Sequence, residues 1–462
     1  MTILELNTGD TAWVLISAAL VLLMTPALAF FYGGMVRSKS VLNMMMMSIV
    51  TMAIVGILWV LYGFSMAFGN SWHGIIGDPT QFAGMRGAFD TLIGAEGNQI
   101  PLFVFAGFQA AFAIIAVALV SGAVADRMKF SAWIAFSIAW ATLVYFPAAH
   151  WVFAFDGVVA EKGGWIANQV KAFDFAGGTA IHINAGAAAL VLALVLGKRL
   201  GFGTKPMRPH NLTLVMLGAG LLWFGWFGFN AGSALGANGL AGLVWVNTLV
   251  ATGGAMLAWL VVEKIRDGHP TSLGAASGIV AGLVAITPAC AVVTPLGAIA
   301  VGVLAGIACP LALSLKTRFG YDDALDVVGV HLVGGLVGTL AIGLFAKGSL
   351  TGGTAGLFYG GGVEQLGRQA LGAAAVLVYS VVVSLLIALA IKYTIGLRVT
   401  TDDEVSGVDI TEHAENGYDF SRVGYSSYRV QQTLVVPAAP VSPVDLVDPD
   451  STRTDAQKEA VK

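Results

Sequence analysis

"GGTAIHINAG", from Gly177 to Gly186, and "VVGVHLVGGL", from Val327 to Leu336, decide how this chain is read. Each stretch sets one histidine, His182 or His331, inside an apolar run. An ionisable ring in such a run is costly unless it is paired or used. Asp174 precedes His182 by eight positions, and Asp323 precedes His331 by eight. The chain therefore carries the same polar pattern twice.

The rest of the chain shows why that pattern lies in a membrane. Of 462 residues, 57% are hydrophobic and only 11% are charged; a soluble domain usually carries about 25% charged residues. Apolar runs of roughly twenty residues, long enough to cross a bilayer, recur along the chain. They cover 12–35, 41–64, 100–124, 131–152, 177–197, 212–230, 239–262, 273–290, 295–315, 325–346 and 370–395. The expected architecture is an all-α integral membrane protein of about eleven transmembrane helices. The segment before the first run, "MTILELNTGD", has no Lys or Arg, and the run is too long for a signal peptide, so a retained helix is expected.

Basic residues set the orientation. With the N-terminus outside, the cytoplasmic ends hold Arg37, Lys39, Arg127, Lys129, Lys198, Arg199, Lys205, Arg208, Lys264, Arg266, Lys316, Arg318, Lys392 and Arg398. The external ends hold Arg86, Lys162, Lys171, Lys347 and Arg368. The reading is N-terminus outside, C-terminus cytoplasmic, in the plasma membrane. The net charge of −3 gives no reason to expect nucleic-acid binding. Cys290 and Cys309 are read as buried small residues, and no metal site or cofactor is expected.

Residues 1–398 form the membrane domain. The mirrored Asp and His positions divide it into two inverted five-helix repeats, about 12–197 and 212–346, with a final helix over 370–395. Residues 399–420 are a polar cytoplasmic tail, and the Pro-rich 421–462 is expected to be disordered. If each Asp marks a helix start, eight residues put each ring about 12 Å deep. From opposite faces of a core about 30 Å thick, both rings meet near the midplane.

No Asp or Glu stands in the middle of an apolar run. A permanent ion crossing such a centre has no carboxylate to hold it. A cation that can shed a proton has an alternative. Neutral imidazoles donate from one nitrogen and accept at the other, so two touching rings suit a small neutral solute such as ammonia. Potassium has no proton to lose. Two other readings stay open: an ammonium sensor signalling through the tail, and a membrane electron-transfer protein using the two histidines as haem ligands. His73, His150, His210, His269 and His413 fall in loops, helix ends or the tail, where solvated or interfacial roles are expected.

Several longer motifs accompany the histidines: "AFFYGGMVRSKSVLNMMM", "VSGAVADRMKFSAW", "DFAGGTAIHINAG", "WFGFNAGSALGAN", "VNTLVAT", "GLVAITPAC" and "DDALDVVGVHLVGG". In this order they resemble the Amt/Mep/Rhesus family of ammonium transporters, over roughly residues 8–420. The resemblance implies transport rather than an enzyme activity, with ammonium or ammonia as cargo and methylammonium as a possible substitute. It implies His182 and His331 as twin pore histidines and Phe112 and Phe229 as the external gate. It implies Ser233 and Phe108 in an external recruitment site, with Asp174 supporting it. Phe153 stands where the family commonly has Trp, and a Phe offers a weaker cation–π face. The resemblance further implies a homotrimer and, on the cytoplasmic face, a PII-type signalling partner. "GVDITEHAENGY", Gly407 to Tyr418, is similar to the family's tail motif but has Ala414 after the His where Gly is usual.

Overall fold

The computed structural model describes residues 6–418. The expected disordered segment 421–462 lies outside them, as do the last two residues of the 399–420 tail. Eleven helices run back and forth: α1 (Thr8–Met35), α2 (Val41–Phe68), α3 (Leu102–Val124), α4 (Phe130–Phe153), α5 (Gly178–Leu196), α6 (Leu212–Gly232), α7 (Gly239–Asp267), α8 (Ser272–Ile286), α9 (Pro295–Phe319), α10 (Val328–Phe345) and α11 (Glu364–Thr394). Ten are long and apolar enough to cross a membrane, and α8 is shorter. The chain is a multi-pass membrane protein. Below, the N face is where α1 begins and the C face is where α11 ends.

Many helix starts are written in the sequence. The side chains of Asn7, Asn211, Asn238, Thr271 and Thr294 each accept a backbone N–H in the first turn of α1, α6, α7, α8 and α9. Such caps satisfy donors that the helix itself leaves free. Helix α2 differs. Ser40 makes no side-chain cap; instead Asp409, from far along the chain, accepts from Leu42 N at 3.1 Å and Asn43 N at 2.8 Å.

The backbone repeats itself where the sequence does. Lys171 and Gly320 both have positive φ (58° and 72°), as do Gly177 and Asp326 (123° and 64°). Each pair is separated by the 149 positions that separate His182 from His331 (331 − 182) and Asp174 from Asp323 (323 − 174). Both histidines then lie in π-helical turns, Gly178–Ile183 and Val328–Leu332, that open α5 and α10. A π-turn widens the helix and is often found at functional sites. One expectation is corrected here. Eight residues of helix do not separate each Asp from its His, because the helices begin only at 178 and 328; a bend and a π-turn fill the interval.

The equivalent helices pack antiparallel. A Cβ on Gly335 would lie 3.0 Å from Gly178 O, and one on Gly186 would meet Leu332, so contacts climb α5 as they descend α10. Helix α1 crosses α6 in the same way: Phe31 faces Gly218, Met24 faces Gly225 and Ser17 faces Gly232. Glycines allow this closeness, which supplies packing where lipid offers no hydrophobic drive. Gly278, Gly282, Gly302 and Gly306 press on α7, and a Cβ at Gly338 would run into the Ala285 carbonyl of α8.

Charge gathers at the C face. Arg199 bridges Asp322 (Nη2–Oδ1 2.9 Å) and Asp126 (Nη1–Oδ2 3.2 Å). Burial alone would raise the Asp322 carboxyl, but the Arg199 guanidinium overrides it and holds the group below the ordinary carboxylate value. The fully buried Arg127 donates to the carbonyls of Gly197 (2.9 Å), Ala125 (3.2 Å) and Asp322 (2.6 Å). The tail folds over this face as two short helices, α12 (Thr401–Ser406) and α13 (Val408–His413). Glu404 accepts from Leu200 N and pairs with Arg398, both at 2.7 Å. His413 Nε2 reaches Asn43 Oδ1 at 3.0 Å, and Glu412 accepts from Phe130 N at 2.9 Å.

Candidate functional site

The rings of His182 and His331 meet. Their Nδ1 atoms are 3.2 Å apart, their centroids 5.3 Å, and the planes differ by 20°. Both side chains are buried, at 1% and 3% exposure. A hydrogen bond between two Nδ1 atoms fixes the chemistry of a neutral pair. One ring donates Nδ1–H and has a bare Nε2. The other accepts at Nδ1 and therefore carries its proton on Nε2. The pair presents one donor and one acceptor, and His182 Nε2 has no protein partner.

What lies around the rings is apolar. A narrow cavity of about 10 Å³ is lined by both histidines, Met24, Leu28, Phe31, Ile115, Leu119, Leu222, Trp226, Phe229 and Val280. No carboxylate is among them. Trp226 stacks on His182 at 5.5 Å and 18°. Its Nε1–H is occupied by Thr287 Oγ1 at 2.8 Å, so only its ring faces the histidine. That hydroxyl lies within 3.3 Å of Asn230 Oδ1, and Asn230 donates in turn to Thr248 Oγ1 at 3.0 Å. Trp226 and Thr287 are not among the site residues expected from the sequence, although both stand inside the motifs "WFGFN" and "VAITPAC".

On the N-face side Phe112 stacks on Phe229 at 4.2 Å and 17°, and Phe108 meets Phe112 edge-on at 4.8 Å. Phe229 is also 6.3 Å from His182, so an aromatic file leads to the histidines. Ser233, half-buried at the end of α6, donates its hydroxyl to Phe229 O at 2.8 Å. With its proton so engaged, the oxygen has lone pairs to offer a cation.

Asp174 supports α5 with both oxygens. Oδ1 accepts from Gly177 N and Gly178 N (2.8 and 2.7 Å), and Oδ2 accepts from Thr179 N and Ala180 N (2.8 and 3.1 Å). One charged group thus meets the free donors at a helix start buried in protein.

Two expectations change. Phe153 makes no ring contact with Phe108, Phe112 or Phe229; it lines a small separate cavity with Phe68, Phe105 and Val158. His150 is not interfacial: it is fully buried, with Nδ1 on Ala67 O at 3.0 Å and Nε2 on Ser71 Oγ at 2.8 Å. It pins the hairpin Ser71–Gly77, which folds over the end of α4. Trp151, as its helix position implies, points elsewhere, donating to Ile75 O at 2.6 Å and packing on Tyr379. Cys290 and Cys309 are free and buried. Because the two Nδ1 atoms are within hydrogen-bonding distance, no macrocycle fits between the rings, which removes the haem reading.

Comparison with known proteins agrees with this geometry. A model of the Ammonium Transporter Family matches residues 12–418. An ammonium transporter of Mycobacterium tuberculosis (strain H37Rv) is 62% identical over 432 residues, spanning 89% of this chain and 91% of its own. One from Aquifex aeolicus is 47% identical, spanning 90% and 94%. Among solved structures, Mep2 of Saccharomyces cerevisiae superposes with a TM-score of 0.76 at 32% identity, over 86% of this chain and 91% of its own. A chain described as a sensor Amt protein gives 0.80 at 30% identity, over 88% and 98%. The chain belongs to the ammonium transporter family.

Proposed function

We propose that this protein carries ammonium across the plasma membrane by moving it through the His182–His331 cavity as ammonia, excluding potassium. The observation that supports this most is the direct Nδ1–Nδ1 contact in a cavity without a carboxylate. The N face is taken as external, following the basic-residue asymmetry. Ammonium is gathered there by the lone pairs of Ser233 and the faces of Phe108 and Phe112, by hydrogen bonding and cation–π attraction. Phe153 is left out of this step because it stands apart. The stacked Phe112–Phe229 pair closes the route, so one ring must swing for cargo to pass.

Beyond the gate a bare cation would lose its hydration with nothing to replace it. Ammonium escapes this by giving up its proton at the gate: ammonia passes the rings, and the proton crosses separately through the hydrogen-bonded imidazole pair, so that one charge moves with each ammonia. Ammonia then matches the histidines: its lone pair accepts from the Nε2–H of one ring, and its N–H donates to the bare Nε2 of the other. Potassium offers neither interaction. As in the resemblance, the working assembly is a homotrimer, the cytoplasmic face is open to a PII-type partner, and the docked tail links that face to α2, α4 and α5.

The test is the current from purified protein in liposomes on a solid support after a jump in ammonium or potassium. A saturable signal with ammonium, a smaller one with methylammonium and none with potassium is expected. Equal signals for ammonium and potassium would rule the reading out. A purely sensory role would give no ammonium signal at all.

A further inference from the structure

The two repeats are not equivalent at their aspartates. Asp174 has four N–H donors, two on each oxygen. Its counterpart Asp323 is as deeply buried, at 1% exposure, yet only Oδ2 has a hydrogen-bond partner, Val328 N at 2.7 Å. Its Oδ1 is buried with none. The cause is local. Gly177 turns the chain at φ 123° so that four successive N–H groups converge on Asp174. The matching residue, Asp326, turns it at φ 64°, and its own carboxylate is held by Lys316. A half-satisfied buried carboxylate is rare enough to need an explanation.

Its position supplies one. Val328, which Asp323 caps, is three residues from His331, about 5 Å along a helix. Tyr32 lies within the electrostatic reach of Asp323, and its hydroxyl donates to Leu119 O, on a residue that lines the histidine cavity. Asp323 caps the start of the histidine turn, and its chain neighbours Ala324, Leu325 and Asp326 line a cavity open on the C face, so its unpartnered Oδ1 stands where that cavity approaches the turn.

We propose that Asp323, through Oδ1, is the exit-side binding group for ammonium, the counterpart on the C face of Ser233 on the N face. This rests on the transport reading above. A carboxylate suits the exit better than a hydroxyl does, because cargo that has regained its proton there is a cation again and a charge-assisted bond holds it. The carboxylate is absent from the cavity between the rings and the gate, where it would trap a cation. The titratable and charged groups around Asp323 are Asp326 and Lys316, already paired with each other, together with Tyr32 and Tyr321. Burial, reinforced by the charge of Asp326, pushes the Asp323 carboxyl up to about 6.

The experiment uses liposomes holding the full chain in one known orientation, with ammonium added to either face. Asp323→Asn keeps an oxygen for Val328 N and removes the charge. Its half-saturating ammonium concentration from the C face is expected to rise about tenfold, the loss of one charge-assisted hydrogen bond. The N-face value should stay within about twofold of the unmodified protein, on the same scale. Unchanged values on both faces, or equal changes on both, would overturn the proposal, since a helix cap alone has no sidedness. Should the variant fail to fold, the unmodified protein answers: C-face affinity should fall as C-face pH drops from 7.5 through about 6, with N-face affinity constant. Lys and Tyr titrate near 10 and stay protonated over that range. A C-face affinity flat down to pH 5 refutes the assignment. Absence of any N-face ammonium current in the unmodified protein would instead count against the transport reading itself.

Discussion

Replacing Asp174 with alanine removes the acceptor for four backbone N–H groups at the start of α5. Each buried donor left unmet costs about 1–3 kcal/mol. Asp174 lines a cavity open on the N face, together with Lys171 and Arg368, so water reaches the gap and the low end applies. Four donors at about 1 kcal/mol give roughly 4 kcal/mol. Unfolding entropy near 2 cal/mol/K per residue, over about 400 residues, converts this to a melting temperature lower by about 4–5 °C. Asp174→Asn retains one oxygen, and with it two of the four bonds, so about 2 °C is expected on the same scale. The assay is the intrinsic-fluorescence melt of detergent-purified protein, which reports on its buried tryptophans. The variants should rank unmodified, then Asn, then Ala, and the ammonium current should fall in the same order because α5 carries His182. An Ala variant within about 1 °C of the unmodified protein, or an Asn variant as damaged as the Ala one, would refute the reasoning.

Gly338→Val drives a side chain into the Ala285 carbonyl, whereas Gly220→Val meets open space; the first should lose its monodisperse elution peak, an overpacking cost of about 3 kcal/mol or more, and the second should elute normally. Ser233→Ala should raise the N-face half-saturating ammonium concentration roughly fivefold, about 1 kcal/mol for one hydrogen bond, with potassium still excluded. The C-face carboxylates have opposite pH signatures. Asp322, held below its ordinary value by Arg199, contributes stability that is present at neutral pH and is lost as pH falls below about 4. Asp323, raised to about 6, binds its proton more tightly folded than unfolded, so its contribution declines as pH rises from about 4 to 6. Melts of Asp322→Asn and Asp323→Asn across pH 3 to 7 should each flatten one of these slopes and leave the other.

The histidine pair was legible because polar residues are scarce in the apolar runs. With the centre nearly free of charge, two rings eight positions after two aspartates stand out, and the 149-residue interval recurs in the backbone as paired positive φ values. The asparagine and threonine caps, which emerge only in the structure, act within one turn of their own position. What escaped the reading depends on how distant segments fold over one another. His150 stands near the end of α4, and nothing local tells that a hairpin from residues 71–77 covers it. Phe153 occupies a motif position, yet it lines a small cavity with Phe68 and Phe105. The π-turns were hidden because one extra residue per turn leaves no mark on apolar periodicity. The contrast between Asp174 and Asp323 was hidden because identical spacing says nothing of how many N–H groups converge.

The central claim is that cargo passes the imidazole pair without its charge. Replacing both His182 and His331 with leucine keeps the cavity apolar and removes the imidazole donor–acceptor pair. Solid-supported-membrane currents of that variant, with ammonium and potassium compared on the same sensor, test the claim most directly. The account predicts that the ammonium signal is abolished or that its discrimination against potassium is lost; an ammonium current of unchanged size and selectivity would contradict it.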